Sequence, residues 1–267
     1  ISTQEFTIPR VDQKLVHVFP DREVLARGTA EIASAADVVP ALQALAEAVT
    51  KPSAERLTWR DELHAAYDRF ARPGTVEVHG HVDLAACVAE VQRQVPDEAV
   101  ILCDSGTFAR WVHRYYRFNK AHTQAGPMSG AMGYAAPGGI GAVLAKPHVP
   151  AIAFVGDGGF LMTGQELVTA VQHRLNVVCI LCDNSAWGSI MVSQQRRYGE
   201  QGVHGTRLES PDFAKVAEGY GLASFRVTRT KEFGPALTEA LATDGPALLH
   251  LLLDERDISP FTDEVSV

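Results

Sequence analysis

Cysteine is scarce in this 267-residue chain. The four that occur, Cys87, Cys103, Cys179 and Cys182, are too few and too scattered for a secreted disulfide scaffold. Cys179-x-x-Cys182 has the spacing of a redox or zinc pair, but it lies in the apolar run Val177 to Cys182. A strand there turns residues three apart to opposite faces, so the pair reads as two core cysteines. Long apolar runs are also missing: none reaches about 18 residues, which excludes a membrane-spanning helix. The opening residues, ISTQEFTIPRVDQ, lack the basic region and apolar core of a signal peptide, and cytoplasm is the expected compartment. Positive charge is in deficit. Lys plus Arg is 24 against 32 Asp plus Glu, a net charge of −8, which argues against a nucleic-acid partner. It leaves open a local anion site built from backbone N–H groups and a bridging metal. What remains, 46% hydrophobic and 21% charged residues, belongs to a folded chain of one large or two modest domains.

Along the chain, KLVHVF (Lys14 to Phe19) predicts a strand, and Asp37 opens a helix with Val38, Leu42, Leu45 and Val49 at helical spacing. A lone strand, a connector and a helix look like the tail of an α/β domain, expected over residues 1–50. Residues 51–75 are charged, carry a linker helix from about Thr58 to Phe70, and close at Arg72-Pro73-Gly74. From residue 76 to 267, helix and strand alternate. Helices are expected at Asp83 to Gln94, Ala109 to Tyr116, Gln165 to His173, Phe213 to Glu218 and Glu232 to Ala242. Strands are expected at Ala99 to Cys103, Ala151 to Val155, Val177 to Cys182, Ser224 to Val227 and Ala247 to Leu253. That rhythm predicts an α/β fold, a parallel sheet flanked by helices, with its site at the carboxyl ends of the strands. The Gly- and Ala-rich Ser129 to Lys146 permits close packing on a neighbour or a ligand.

Gly156-Asp157-Gly158-Gly159 directly follows the strand AIAFV. Glycines there let backbone N–H groups approach an anion, and Asp157 makes sense if a divalent cation lies between it and a phosphate. Asn184, 184 − 157 = 27 positions further on, ends the next strand. Two adjacent parallel strands bring Asp157 and Asn184 to one sheet edge, where a carboxylate, an amide oxygen and a backbone carbonyl suit octahedral magnesium. A tight turn at Gly156 and a capping role for Asn184 are the plain structural alternatives.

Gly156-Asp157-Gly158 with Asp183-Asn184 at this spacing resembles the thiamine-diphosphate signature, and GPMSGAMGYAAPGGIGAVLAKPHVPAIAFVGDGGFLMTGQEL resembles the acetolactate-synthase-like branch. The likeness runs from about Val76 to the end, and the opening residues look like the last third of that family's middle domain. The resemblance implies thiamine diphosphate and Mg²⁺ as cofactors. It implies Asp157 and Asn184 as side-chain metal ligands, with Ala186 through its carbonyl. Gly158 and Gly159 would hold the diphosphate, with Gly106, Thr107 and Gly188 close to the cofactor. The Gly130 carbonyl would accept a hydrogen bond from the aminopyrimidine, and Met132 would stand between the two rings. The activity implied is decarboxylation of a small-molecule 2-oxo acid, with the positive ring as electron sink, and carboligation to a second carbonyl compound. The activating glutamate of the family belongs to an amino-terminal domain with no counterpart here, so no catalytic residue is assigned in this chain. It is expected to be truncated, inactive alone, and completed by that domain or a partner chain in a homo-oligomer, a dimer or tetramer. No flavin is assigned, because the family's flavin site lies in the middle domain.

Two departures bear on substrate. Gly106-Thr107-Phe108 stands where acetolactate synthases usually carry Gly-Gln-His, and Ser193 stands near their selective tryptophan. Trp187 and Ile190 are the expected substrate-pocket residues. Non-oxidative decarboxylation without transfer, and a non-catalytic module binding cofactor or partner, are the alternatives. His204 and Arg207, in a Gly-rich stretch, suit either a lid or a solvated loop, and Arg196-Arg197 reads as a solvated helix face.

Overall fold

The computed structural model describes residues 10, 12–49 and 51–261. The reading of the opening peptide as lacking a signal sequence therefore falls almost wholly outside the described residues. Two compact units divide the chain, residues 1–64 and 65–267.

In the first unit, β1 (Val16–Phe19) and β2 (Ile32–Ala35) pair in parallel, with α1 (Arg22–Ala26) between them in sequence. Asp21 caps α1 by accepting the Glu23 N–H at 2.8 Å. Sequence reasoning leaves this stretch irregular, because IASA is too short and too small-sided to stand out as a strand. α2 (Val38–Ala48) starts after Asp37, as its capping pattern predicts. The apolar residues that mark it, Val38, Leu42, Leu45 and Val49, all lie exposed in this unit. α3 (Ala54–Phe70) begins ahead of the expected Thr58 and runs across the division.

The second unit follows the predicted alternation. Its elements are α4 (Leu84–Gln94), β3 (Val100–Cys103), α5 (Phe108–Tyr115), β4 (Gln124–Ala125), α6 (Ala135–Ala145), β5 (Ala151–Gly156), α7 (Asp157–Thr163) and α8 (Leu167–His173). Then come β6 (Val177–Asp183), α9 (Gly188–Tyr198), α10 (Phe213–Tyr220), β7 (Ala223–Val227), α11 (Thr230–Ala242) and β8 (Ala247–Leu252). The sheet runs β4-β3-β5-β6-β8-β7 and every pairing in it is parallel. It is the expected parallel sheet flanked by helices.

Both faces of the sheet are covered. Ile101, Ile152, Phe154, Ile180 and Leu249 pack with α4, α5 and α11, while Leu102, Ala153, Val155, Leu181 and Leu248 pack with α6, α8 and α10. Successive side chains point to opposite faces, which is why these strands read as unbroken apolar runs. Each fully buried Leu or Ile contributes about 1.5–3 kcal/mol relative to exposure, so this core dominates the unit's stability. The Gly- and Ala-rich segment lets α6 lie close on the sheet: a Cβ at Gly139 would come 2.7 Å from the Val177 side chain. Cys179 and Cys182 point to opposite faces as expected, and all four cysteines are buried and free.

Two helices differ from expectation. The stretch after Gly156 is not a loop leading to one helix. α7 starts at Asp157 itself, and a 3-10 turn at Gly164–Glu166 separates it from α8. α9 starts well ahead of the solvated helix face expected at Arg196-Arg197, because GSIMVSQQRRY buries only Gly188, Met191 and Val192 and has no apolar stripe to mark its beginning. No helix of the described residues is long and apolar enough to cross a membrane.

Candidate cofactor-binding site

A pocket of about 230 Å³ opens at the carboxyl ends of β3, β5, β6 and β8, where an open parallel sheet offers its crevice. Its lining includes Gly106, Thr107, Gly130, Met132, Asp157, Gly158, Asn184, Ala186, Trp187, Gly188 and Ile190. Every residue singled out from the sequence as cofactor, metal or substrate contact is there except Gly159.

The floor is backbone. A Cβ on Gly158 would stand 2.2 Å from the Trp187 indole, so that ring lies directly on the glycine. A Cβ on Gly106 would come 2.5 Å from the Phe108 ring, and one on Gly156 would come 3.0 Å from it. Phe108 thus folds over both turns with an apolar surface. Gly130 has φ +69, a left-handed conformation that favours glycine. Gly159 faces away from the pocket, toward a buried carboxylate: its Cβ would meet Asp104 Oδ2 at 2.2 Å. Asp104 in turn accepts the N–H groups of Gly133 and Tyr134, at 2.8 and 2.7 Å, just ahead of α6.

Strand register sets the acidic centre. Gly156 pairs with Cys182, and Asp157, the first residue of α7, and Asp183, the last of β6, directly follow that pair. Asp157 is 4% exposed, and its carboxylate accepts the Gly158 N–H at 2.8 Å and the Ala186 N–H at 3.1 Å. Burial pushes its carboxyl up to about 7, against those two hydrogen bonds and with help from the Asp183 charge. The Ala186 contact, 29 positions along the chain, ties the turn after β6 to Asp157 just after β5. That turn is fastened from outside. Trp187 N–H donates to the Thr206 carbonyl at 2.8 Å, Leu208 N–H donates to the Ser185 carbonyl at 2.8 Å, and Ala186 bridges Arg207.

The family described as "Thiamine pyrophosphate enzyme, C-terminal TPP binding domain" matches residues 104–251, more than half of the chain and most of the pocket lining. The chain belongs to that thiamine pyrophosphate-dependent family. Its relatives place it on the acetolactate-synthase-like side. It is 31% identical to the acetolactate synthase isozyme 1 large subunit of Escherichia coli over 252 residues, 91% of this chain and 43% of that protein. It is 35% identical to the sulfoacetaldehyde acetyltransferase of Castellaniella defragrans over 153 residues, 57% of this chain and 25% of that protein. Among solved structures, the thiamine diphosphate-dependent 4-hydroxybenzoylformate decarboxylase of Rhodococcus jostii superposes with a TM-score of 0.73 at 27% identity, over 90% of this chain and 44% of that one. The chain spans less than half the length of these relatives.

Within this thiamine pyrophosphate-binding domain, several lining residues carry no sequence signal of their own. Leu84, Ser105, Leu253, Asp257 and Ile258 also line the pocket. Asp257 accepts the backbone N–H of Gly80 at 2.9 Å and meets His79 Nδ1 at 2.9 Å, closing the carboxyl-terminal segment against the start of α4. Only the approach of two distant segments shows it. His204 and Arg207 stay outside the lining: Arg207 pairs with Glu255, and the His204 N–H donates to Gln194 Oε1 at 3.1 Å. Ser193 is exposed and donates to the Ser189 carbonyl at 2.9 Å.

Proposed function

We propose that this chain is the diphosphate- and cation-binding part of an enzyme that decarboxylates a 2-oxo acid and joins the remaining fragment to a second carbonyl compound, in the manner of acetolactate synthase. The observation that carries the reading is the buried Asp157 carboxylate, set just after β5 against the Asn184–Ala186 turn that follows β6, in a pocket floored by glycines.

The residues present fit thiamine diphosphate with Mg²⁺. The Asp157 carboxylate is buried and meets the Gly158 and Ala186 N–H groups, and burial disfavours its ionised form, which a cation beside it would favour. The available donors are hard oxygens, the Asp157 carboxylate, the Asn184 amide and the Ala186 carbonyl. They are not a cluster of His, Cys, Asp and Glu, and no such group of three is found among the described residues. These three residues would hold Mg²⁺. Gly106, Thr107, Gly158 and Gly188 would bound the diphosphate, and Gly130 and Met132 would contact the rings. When bound, the cofactor supplies an electron sink for breaking the bond to the carboxylate carbon.

The chain's own residues bind, orient and exclude water. Leu84, Phe108, Leu253 and Ile258 give the pocket apolar walls, which strengthen electrostatic interactions within it. Trp187 and Ile190 are the residues that would meet the substrate. The proton-transferring glutamate is proposed to come from an amino-terminal domain, in the same or a partner chain of a dimer or tetramer, and the chain alone to be inactive. Residues 1–50 would be the tail of a middle domain joined by a linker at 51–75, in a cytoplasmic protein. Simple non-oxidative decarboxylation is the second reading. It is favoured by the similarity to a decarboxylase and by apolar Phe108 over the two glycines.

Calorimetric titration of this chain with thiamine diphosphate tests the site. Binding with Mg²⁺ that EDTA abolishes is expected, and a folded chain indifferent to the metal overturns it. Product analysis of the intact enzyme with pyruvate and an acceptor aldehyde tests the chemistry: a ligated product supports transfer, and free aldehyde alone supports decarboxylation.

A further inference from the structure

Behind the Asn184–Ala186 turn lies a polar cluster that the cofactor contacts do not use. The Asp183 carboxylate is buried at the last position of β6, and both its oxygens are engaged. Oδ1 accepts the Ser185 N–H at 2.9 Å, the Ser185 hydroxyl at 3.3 Å and the Ser210 hydroxyl at 2.8 Å. Oδ2 accepts from His250 Nε2 at 2.9 Å, across the β6–β8 pairing. A carboxylate acceptor requires the hydrogen on Nε2.

His250 is 1% exposed, stands edge-on to Phe213 at 5.4 Å between centroids, and leaves its Nδ1 without a partner. Its neighbours along β8, Leu248, Leu249 and Leu251, are plain core. A histidine with one nitrogen buried and unpaired is a poor core residue, so its single bond to Asp183 is what the position supplies. The object held is unusual too. Ser185, between Asn184 and Ala186, has φ +53, a left-handed conformation that a serine keeps only when its surroundings enforce it. Asp183 binds both the N–H and the hydroxyl of that residue, and Ser210 and His250 fix the orientation of Asp183.

We propose that Asp183, His250 and Ser210 are positioning residues that hold the strained Ser185 turn so that Asn184 and Ala186 face Asp157, and that they thereby set the affinity for the divalent cation. This rests on the cation site proposed above. Mn²⁺ serves as the probe: free Mn²⁺ is measured by electron paramagnetic resonance in the presence of thiamine diphosphate, for the whole chain and for His250→Gln, Ser210→Ala and Ser210→Thr.

Outer hydrogen bonds of this kind usually affect metal affinity by about 10–100-fold. His250→Gln and Ser210→Ala are therefore expected to weaken Mn²⁺ binding by about tenfold or more. Ser210→Thr, which keeps the hydroxyl, should restore it. The metal-free thermal midpoint of Ser210→Ala should stay at the wild-type value, which separates positioning from general packing. If folded Ser210→Ala binds Mn²⁺ within twofold of wild type, the inference is overturned, and that pair decides the matter should His250→Gln fail to fold. A wild-type chain that binds no Mn²⁺ with thiamine diphosphate overturns the cation site and this inference together, a result distinct from intact binding with indifferent variants.

Discussion

Asp157 and Asp183 directly follow the paired Gly156 and Cys182 of neighbouring parallel strands and are buried alike, 4% and 3% exposed, yet their carboxyls are driven in opposite directions. Burial is the largest influence on both and raises both. Asp157 has only two backbone N–H groups to oppose it and ends near 7, whereas hydrogen bonds from His250, Ser210 and Ser185 outweigh burial and hold Asp183 below the usual carboxylate range. Equal burial therefore does not mean equal availability. Asp183 is already fully used within the protein, and Asp157 is the one with charge left for a ligand.

Removing each carboxylate breaks the comparison most directly. Asp157→Ala should lose cation-dependent thiamine diphosphate binding by about 100-fold or more, since a ligand counts for at least as much as the groups that orient it. The same variant should not destabilise the metal-free chain at pH 8, because it removes a desolvated charge. Asp183→Ala should do the reverse in the metal-free chain: breaking a buried, hydrogen-bonded pair typically costs about 3–5 kcal/mol, read as a lower urea midpoint. Equal stability losses in the two variants would show that the carboxylates are not differently employed.

Titration sharpens the same contrast, with opposite signs. Asp157 is raised in the folded state, so it favours folding fully only below its unfolded value of about 3.9. That contribution is lost as pH climbs to about 7, and is level above. Asp183 is lowered, so its contribution is present above the unfolded value and is lost as acid takes pH below it. Mg²⁺ with thiamine diphosphate should accordingly raise the thermal midpoint more at pH 8 than at pH 5. An equal rise at both would remove Asp157 as the group the cation relieves.

How far this was legible in the sequence follows from range. The Asp157 and Asn184 pairing was visible because strand length and helix length fix where two neighbouring parallel strands end, and apolar runs such as AIAFV and VVCILC mark those strands. The opposite fates of the two aspartates were not visible. They depend on His250 and Ser210, 67 and 27 positions from Asp183, brought together only by the sheet order β6-β8 and by the 206–210 segment. Gly159 illustrates the same limit. Its motif assigns it to the ligand side, and only the folded chain reveals Asp104 pressed against it. In the first unit, the helical spacing of Leu42 and Leu45 located α2 correctly but could not say that this face is exposed there.

The two motif glycines therefore form a smaller version of the comparison. Gly158→Ala pushes a methyl into the Trp187 ring, a side chain that can swing within the pocket, so it should lower cofactor affinity more than stability. Gly159→Ala pushes a methyl into the Asp104 carboxylate, which is fixed by Gly133 and Tyr134, and should cost about 1–3 kcal/mol of stability through overpacking. Urea midpoints and thiamine diphosphate titrations on both variants check the split, and identical profiles would mean that Gly159 also faces the ligand.

The smallest effect belongs to the thiol of Cys182, next to Asp183 in β6. Cys182 pairs in register with Gly156 and lines the pocket, so by position alone it is a candidate nucleophile. Burial pushes its thiol well above the ordinary value, and the nearby Cys87, Cys103, Cys179 and Asp157 push the same way. Because the thiolate is the reactive form, iodoacetamide at pH 8 should leave Cys182 unmodified in the native chain and label it only after unfolding in urea. Cys182→Ala should bind thiamine diphosphate within about twofold of wild type, a change under about 0.5 kcal/mol. Rapid native labelling at Cys182, read by mass spectrometry, would show that the pocket is wetter than its walls imply. The same water would then reach Asp157 and erase the difference from Asp183.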